Sequence, residues 1–313
     1  MDKLIVVIVS WNTLELTRQC LTTTYADLER WAIDNEVWVV DNASSDGSPA
    51  MIRDEFPQVR LIENTENVGF ARANNQVLRE AVGSHYLLLN TDTIVHEGAF
   101  KTMLDYMAAH PEATAVGPRL IYANGTIQKS FTRLPTLWGE FCYNLVFHFF
   151  PFGRLFKALF GWDRTDLAAI TEPREAAVLS AACLMLRREA LDKVGVLGEG
   201  YFLFSEENDY FIRMKREGLR SFYVPEARIT HLVGASRKRS GEINSAANFL
   251  RSRIIFFRRF YPNKVWAVRA FYRCFLTYSL TMATVAYNLK GRRDDHYVRL
   301  YRELVRTLGE VHS

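Results

Sequence analysis

Short runs of consecutive apolar residues alternate with longer stretches of helical period along the first third of the chain. Leu4-Ile5-Val6-Val7-Ile8-Val9 is the first run. It stops on Ser10-Trp11-Asn12, before a helical stretch from about Leu14 to Trp31. Val37-Trp38-Val39-Val40 is the second, stopping on Asp41 and turn residues that include Asp46-Gly47. Ser48-Pro49 then reads as an N-cap with proline at the first helical position. A short strand near Val59–Glu63 follows, and Asn67 to Asn75 lead into a helix ending near Gly83. The third run, Tyr86-Leu87-Leu88-Leu89, stops on Asn90-Thr91-Asp92. A continuous apolar run reads as a strand buried on both faces. Strands alternating with helices in this way predict βαβ units, hence an α/β fold with a mostly parallel sheet flanked by helices. Ligands of such sheets bind beyond the carboxyl ends of the strands. The polar ends carrying Asn12, Asp41 and Asp92 are therefore expected to gather along one edge.

Each of these residues has a plain structural alternative. Asp92 could hold a hard cation or a ribose, or merely cap the helix that follows. Asp41 could be a turn residue at a strand end, and a lone histidine such as His231 need not be a ligand. Three acids at a helix start, Glu206, Glu207 and Asp209, are favoured by the helix dipole whatever else they do. They also follow the aromatic run Tyr201-Phe202-Leu203-Phe204, which the helix dipole does not explain.

The 313 residues suffice for one large α/β domain and something smaller, and 49% of them are hydrophobic, far from a disordered composition. Cys20, Cys142, Cys183 and Cys274 lie far apart with no CxxC pair, which points to a reducing compartment. Asp2-Lys3 followed by a β-branched run lacks the form of a secretory signal, so a cytoplasmic location is expected. The net charge of +4 is unevenly spread. From Arg237 to Arg293 there are 13 Lys/Arg against the single acid Glu242. Basic residues and rings alternate there, from Phe249-Leu250-Arg251 to Arg258-Arg259-Phe260-Tyr261. This fits a helix in a membrane interface, its arginines on anionic headgroups, or a helix packed on the protein with a solvated basic face. Nucleic acid is not expected as a partner, because no nucleic-acid-binding motif accompanies the charge. Phe271 to Leu289 is apolar but interrupted by Arg273 and several hydroxyls. It reads as monotopic or as packed between copies of a homo-oligomer. The aromatic stretch Phe141 to Trp162 reads either as a loop dipping into the membrane beside an acceptor or as a buried hairpin.

Seven segments, in order, resemble the inverting glycosyltransferases of family 2, and among them the rhamnosyltransferase-like members with a GT-A fold. They are Val-Ser-Trp-Asn at 9–12, Asp-Asn-Ala-Ser-Ser-Asp-Gly-Ser at 41–48, Asn-Val-Gly-Phe-Ala-Arg-Ala-Asn-Asn at 67–75, Asn-Thr-Asp at 90–92, Ala-Ala-Cys-Leu-Met-Leu-Arg-Arg at 181–188, Ser-Glu-Glu-Asn-Asp-Tyr at 205–210 and His-Leu-Val-Gly-Ala-Ser at 231–236. The resemblance covers roughly residues 3–240. It implies a GT-A domain over 1–240, with an aromatic insertion at about 135–165, and a helical, membrane-associating region over 241–313.

The resemblance also implies roles. Asp92 and His231 would hold Mg2+ or Mn2+. Asp41 would accept from the N3–H of a uracil or thymine in a pocket lined by Ser10 and Asn12. Gly69, Arg72, Asn90 and Thr91 would complete the donor nucleotide site. Glu207 would be the base, with Glu206 and Asp209 as supporting acids. The chain departs from the family pattern twice: Asn90 stands for the first acid of the DxD motif, and Glu207 for an aspartate. The implied partners are a nucleotide-diphosphate sugar (dTDP-rhamnose or a UDP-sugar), a lipid-linked saccharide of a bacterial envelope polymer, and the anionic inner face of the membrane. A non-catalytic scaffold that binds nucleotide sugar is the second hypothesis, sustained by those two departures.

Overall fold

The computed structural model describes residues 3–144, 166–232, 241–289 and 295–311, with backbone only for 141–144. The strands are β1 Leu4–Ser10, β2 Asn35–Asp41, β3 Arg60–Glu63, β4 His85–Asn90, β5 Thr93–Val95, β6 Ala113–Ile121, β7 Phe131–Thr132, β8 Arg174–Glu175, β9 Val178–Leu179, β10 Cys183–Arg187 and β11 Arg220–His231. The described helices are α1 Leu14–Arg30, α2 Ser48–Glu55, α3 Phe70–Glu80, α4 Ala99–Ala109, α5 Leu137–Asn144, α6 Arg188–Val194, α7 Glu206–Arg216, α8 Glu242–Phe260, α9 Val265–Leu289 and α10 His296–Glu310. They fall into two compact units. Met1–Leu134, Asp166–Phe202 and Glu206–Arg239 make one, and Pro135–Thr165, Leu203–Ser205 and Ser240–Ser313 the other.

The first unit is built on a sheet of order β3-β2-β1-β4-β10-β6-β11-β5, with β8 on β11. Successive residues of β1 face opposite sides, as the period of a strand requires. Leu4, Val6 and Ile8 pack with Leu21 of α1 and Phe100 and Met103 of α4, while Ile5 and Val7 pack with Val77 and Leu78 of α3. All five β1 side chains are fully buried, each worth about 1.5–3 kcal/mol relative to exposure. The first four strands are mutually parallel, as the alternation predicts. Beyond β4 the sheet is mixed: β10 runs antiparallel to both β4 and β6, β11 is parallel to β6, and β5 and β8 are antiparallel to β11. The expectation of a mostly parallel sheet thus holds only for its first half. An apolar run identifies a buried strand but carries no sign for its direction.

The second unit holds α5, α8, α9 and α10. Sequence alone allows the rings of α8 to sit among acyl chains. In the fold Phe256, Phe257 and Phe260 are buried and α8 packs on α9 and α10, so protein covers these rings. Its arginines are partly engaged too. The Arg258 guanidinium donates to the carbonyl of Val311, Arg269 of α9 donates to those of Leu308 and Val311, and Arg253 is ion-paired with Glu140 at 3.2 Å. Cations that satisfy the last carbonyls of α10 act as its C-terminal cap. Exposed apolar surface lies instead on α9, at Trp266, Tyr278, Met282, Val285 and Leu289. No described helix is long and apolar enough to cross a membrane. The rings of the Phe141–Trp162 stretch and the Gly234-Ala235-Ser236 motif lie outside the described residues.

Candidate active site

The register of the parallel strands brings the polar ends level. Ser10 pairs with Asp41, and Val9 with Asn90. Just beyond β1, Asn12 takes a left-handed φ of 52°, and its Oδ1 accepts from the Ser45 N–H at 2.7 Å while its own N–H donates to Ser44 Oγ at 2.8 Å. The Ser10 hydroxyl is buried, 3.3 and 3.2 Å from those of Thr13 and Thr17. Ser48 is the first residue of α2 and Gly47, at φ 89°, its N-cap; Asp46 Oδ1 accepts from the Ser48 N–H and hydroxyl, and its Oδ2 takes the N–H of Leu14 at the start of α1.

Asp41 is 1% exposed. Its Oδ2 accepts from the Ser44 N–H at 2.8 Å, and its Oδ1 is buried with no hydrogen-bond partner. Burial lifts the carboxyl above the usual carboxylate range, and hydrogen bonds from Ser44 pull it back only in part. An orphaned buried acceptor of this kind costs about 1–3 kcal/mol, which a donor N–H would recover.

At the next strand end Asp92 is buried, and its Oδ1 lies 3.3 Å from Nε2 of His231. The contact is made by β5 and β11, which pair Thr93 with His231, and the Leu232 N–H donates to the Asp92 carbonyl at 2.8 Å. On the far side of the imidazole, Nδ1 is 3.0 Å from Oε1 of Gln128. With Nδ1–H donating to that oxygen, Nε2 presents a lone pair to a carboxylate. Two such acceptors repel unless a cation joins them, a proton or a metal ion. The oxygen-plus-imidazole pair fits Mg2+ or Mn2+ and leaves coordination places for phosphate oxygens. Among the described residues no group of three or more His, Cys, Asp or Glu gathers at one point, so a cation here would take two protein ligands. Asn90 and Thr91 lead into Asp92, Thr91 buried and Asn90 half-buried.

The three acids of α7 are separated by their surroundings. Asp209 is fully buried, accepting from Tyr201 Oη at 3.0 Å and from Arg213 Nε at 2.7 Å, while Arg213 also donates to the carbonyls of Val194 and Val196. It is a structural clamp. Glu206 is buried with an unpartnered Oε2, and burial first, then the charge of Glu207, push its carboxyl well above the usual range. Glu207 is half-buried, 3.4 Å from the Asn208 amide nitrogen.

Gly69 has φ +85°, and a Cβ on it would meet the Phe202 carbonyl oxygen at 2.5 Å. The close approach it permits is therefore that of the aromatic run before α7. Arg72 is exposed on α3 near the acid Glu199. Asn75 is fully buried, donating to the Leu197 carbonyl and accepting from the Leu197 N–H. Gln128 escaped sequence reasoning, because a glutamine in a loop carries no motif and its link to His231 spans 103 positions.

The model of the glycosyl transferase family 2 matches residues 5–195. The chain belongs to glycosyl transferase family 2. Among similar proteins is the N-acetylglucosaminyl-diphospho-decaprenol L-rhamnosyltransferase of Mycobacterium tuberculosis, 28% identical over 225 residues, 68% of this chain and 71% of that protein. An O-antigen biosynthesis protein of Myxococcus xanthus is 26% identical over 205 residues, which span 65% of this chain but only 15% of its own length. A mannosyltransferase from Pyrobaculum calidifontis, solved with GDP-Man and Mn2+, superposes with a TM-score of 0.56 at 17% identity, covering 98% of this chain and 86% of its own. The likeness to that mannosyltransferase is one of fold.

Proposed function

We propose that this family 2 glycosyltransferase moves rhamnose from dTDP-rhamnose, or another sugar from a pyrimidine diphosphate, onto a lipid-linked saccharide with inversion, in the synthesis of a bacterial envelope polysaccharide. The observation that carries the reading is the 3.3 Å Asp92–His231 pair, taken with the orphaned carboxylate oxygen of Asp41 at the end of β2. The mycobacterial relative, by its name, works on a diphospho-decaprenol acceptor. Asp41 Oδ1 accepts the pyrimidine N3–H. Asp92 and His231 hold the divalent cation, which when bound offsets charge on the departing nucleotide diphosphate. Glu207 takes the proton from the acceptor hydroxyl as it attacks C1 from the face opposite the leaving group, and that single displacement inverts the anomeric centre.

A panel of dTDP-, UDP- and GDP-sugars, read by thermal shift with and without Mn2+, tests the donor. A pyrimidine donor at 100 times its Kd stabilises by about 2.7 kcal/mol, a rise of several degrees. Asp41→Asn must turn an amide N–H toward either the base or the Ser44 N–H, so donor affinity falls roughly 10- to 30-fold, the worth of one buried hydrogen bond. Stabilisation by GDP-sugars alone, or an unaltered Asp41→Asn, removes the pyrimidine assignment.

For the acceptor, we place the chain on the inner leaflet through α9 and the exposed cations Arg259, Lys264 and Arg273. Each basic group near an anionic surface adds on the order of 1 kcal/mol before screening, while Trp266 and its apolar neighbours give binding that salt does not remove. Liposome co-sedimentation across a salt series is expected to show stronger binding to anionic than to neutral vesicles, and a loss of that difference when the three cations are changed to Gln. Equal binding to both vesicle types by the unaltered protein rules the placement out.

A further inference from the structure

Among the described residues of the sheet unit, the large hydrophobic side chains left exposed are Trp31, Val82, Tyr122 and Phe202. A single exposed apolar side chain needs no explanation by itself. Phe202 is set apart by its place. Trp31 and Val82 precede β2 and β4, at the sheet edge away from Asp41 and Asp92, and Tyr122 belongs to the turn after β6. Phe202, 46% exposed, lies instead against Gly69, where a Cβ would come within 3.1 Å of its ring carbon Cδ2. That loop is tied to the end of β2. Asn42, the residue after Asp41, donates through Nδ2 to Asn67 Oδ1 at 3.3 Å and to the Gly69 carbonyl at 3.4 Å.

The backbone that carries the ring is held from two helices of the same unit. On the side of α3, the Phe70 N–H donates to the Phe202 carbonyl at 3.0 Å, and Asn75 binds both the N–H and the carbonyl of Leu197. On the side of α7, the Tyr201 hydroxyl donates at 3.0 Å to Asp209, two residues past Glu207, and Arg213 donates to the carbonyls of Val194 and Val196. The stretch from Val194 to Phe202 is thus fastened between the donor loop and the helix of the three acids, and it ends in a half-exposed ring. A side chain on a backbone ordered in advance costs little further ordering when a ligand meets it.

We infer that Phe202 is a sugar-binding residue: its exposed ring stacks on the apolar face of a pyranose. The inference rests on the proposed function. The C–H groups on one face of a pyranose carry slight positive charge, and the face of an aromatic ring is the negative part of its quadrupole. Both substrates bring such a ring, the rhamnose of the donor and the N-acetylglucosamine of the acceptor, and the experiment separates the two.

The full-length chain is compared with Phe202→Ala, Phe202→Leu and Phe202→Tyr. Kd is measured for dTDP-rhamnose and for dTDP, both with Mn2+, and KM for N-acetylglucosaminyl-diphospho-decaprenol at saturating donor. Phe202→Ala is expected to weaken the binding of one sugar about tenfold, the scale of losing one aromatic contact and the apolar area it covers, with the Kd of dTDP unchanged. Phe202→Leu keeps apolar bulk against Gly69 but no π face, and is expected to lose nearly as much. Phe202→Tyr keeps the face and is expected to bind as the unaltered protein does. A weaker Kd for dTDP-rhamnose assigns the ring to the donor sugar; a raised KM for the acceptor, with both nucleotides binding normally, assigns it to the acceptor. Three unchanged constants in Phe202→Ala overturn the inference, as does a leucine variant equal to the unaltered protein. A loss of dTDP itself as large as that of dTDP-rhamnose also overturns it, since the ring would then serve only the nucleotide loop. If the unaltered chain transfers no rhamnose to this acceptor, the proposed function fails and the stacking role with it; normal transfer by Phe202→Ala removes the stacking role alone.

Discussion

Asp92→Asn is expected to reduce sugar transfer by at least about 10²–10³-fold, the usual cost of removing a group that stabilises charge developing in the transition state. The variant keeps the shape of the side chain and can still accept from its surroundings, so the fold is expected to survive. It loses the negative charge that, with His231, would hold a cation against two phosphates. His231→Ala, measured by titrating Mn2+ into the protein, should weaken metal affinity at least about tenfold, and Gln128→Ala by less, since Gln128 acts by fixing the ring that carries the ligand atom. Asp92→Asn fully active in saturating EDTA would remove both residues from the mechanism. A chain that binds nucleotide sugar through Asp41 yet turns none over in either form would instead be the non-catalytic scaffold.

Glu207→Gln is expected to lower kcat by about 10²–10⁴, the normal worth of general-base assistance, with donor affinity unchanged. The surroundings of the three acids sharpen this test. Asp209→Asn breaks a buried ion pair with Arg213 and a hydrogen bond from Tyr201, so its expected effect is on stability, read as a fall in Tm. Glu206→Gln replaces a buried carboxyl, which burial pushes well above the usual range, with a neutral amide of the same size, and is expected to retain far more activity than Glu207→Gln. An inactive Glu206→Gln beside an active Glu207→Gln would move the base by one position along α7.

The first strands were legible because each is an unbroken apolar run ending on a polar residue, and the sheet buries them on both faces. The cluster Asn12, Asp41, Asp92 was legible for the same reason: parallel strands of similar length in register must end together. What joins Asp92 to His231 was not. That contact depends on the antiparallel pairing of β5, three residues long, with the end of β11, and nothing in Thr93-Ile94-Val95 names its partner. Only the resemblance ranked Glu207 above Glu206 and Asp209; the physical surroundings that separate them, Tyr201 and Arg213 on Asp209 and the burial of Glu206, could not be read from the residues. On α8 the spacing of rings and arginines serves a lipid interface and a packed helix equally well. Contacts with α9 and α10 decide for the second, and they lie far along the chain.

The order of strands also has a consequence in time. The sheet from β3 to β4 is complete once the first 90 residues exist, and its pairings join neighbours in sequence. Its next strand, β10, begins at Cys183 and must insert between β4 and β6. During synthesis the edge of β4 therefore waits, with its backbone groups unpaired, until almost a hundred further residues have been added. Long loop closure before reward slows folding, and an open apolar edge invites pairing with another chain. β4, the strand that leads into Asp92, is thus the one whose nascent state most needs protection, and its edge is paired only when β10 arrives.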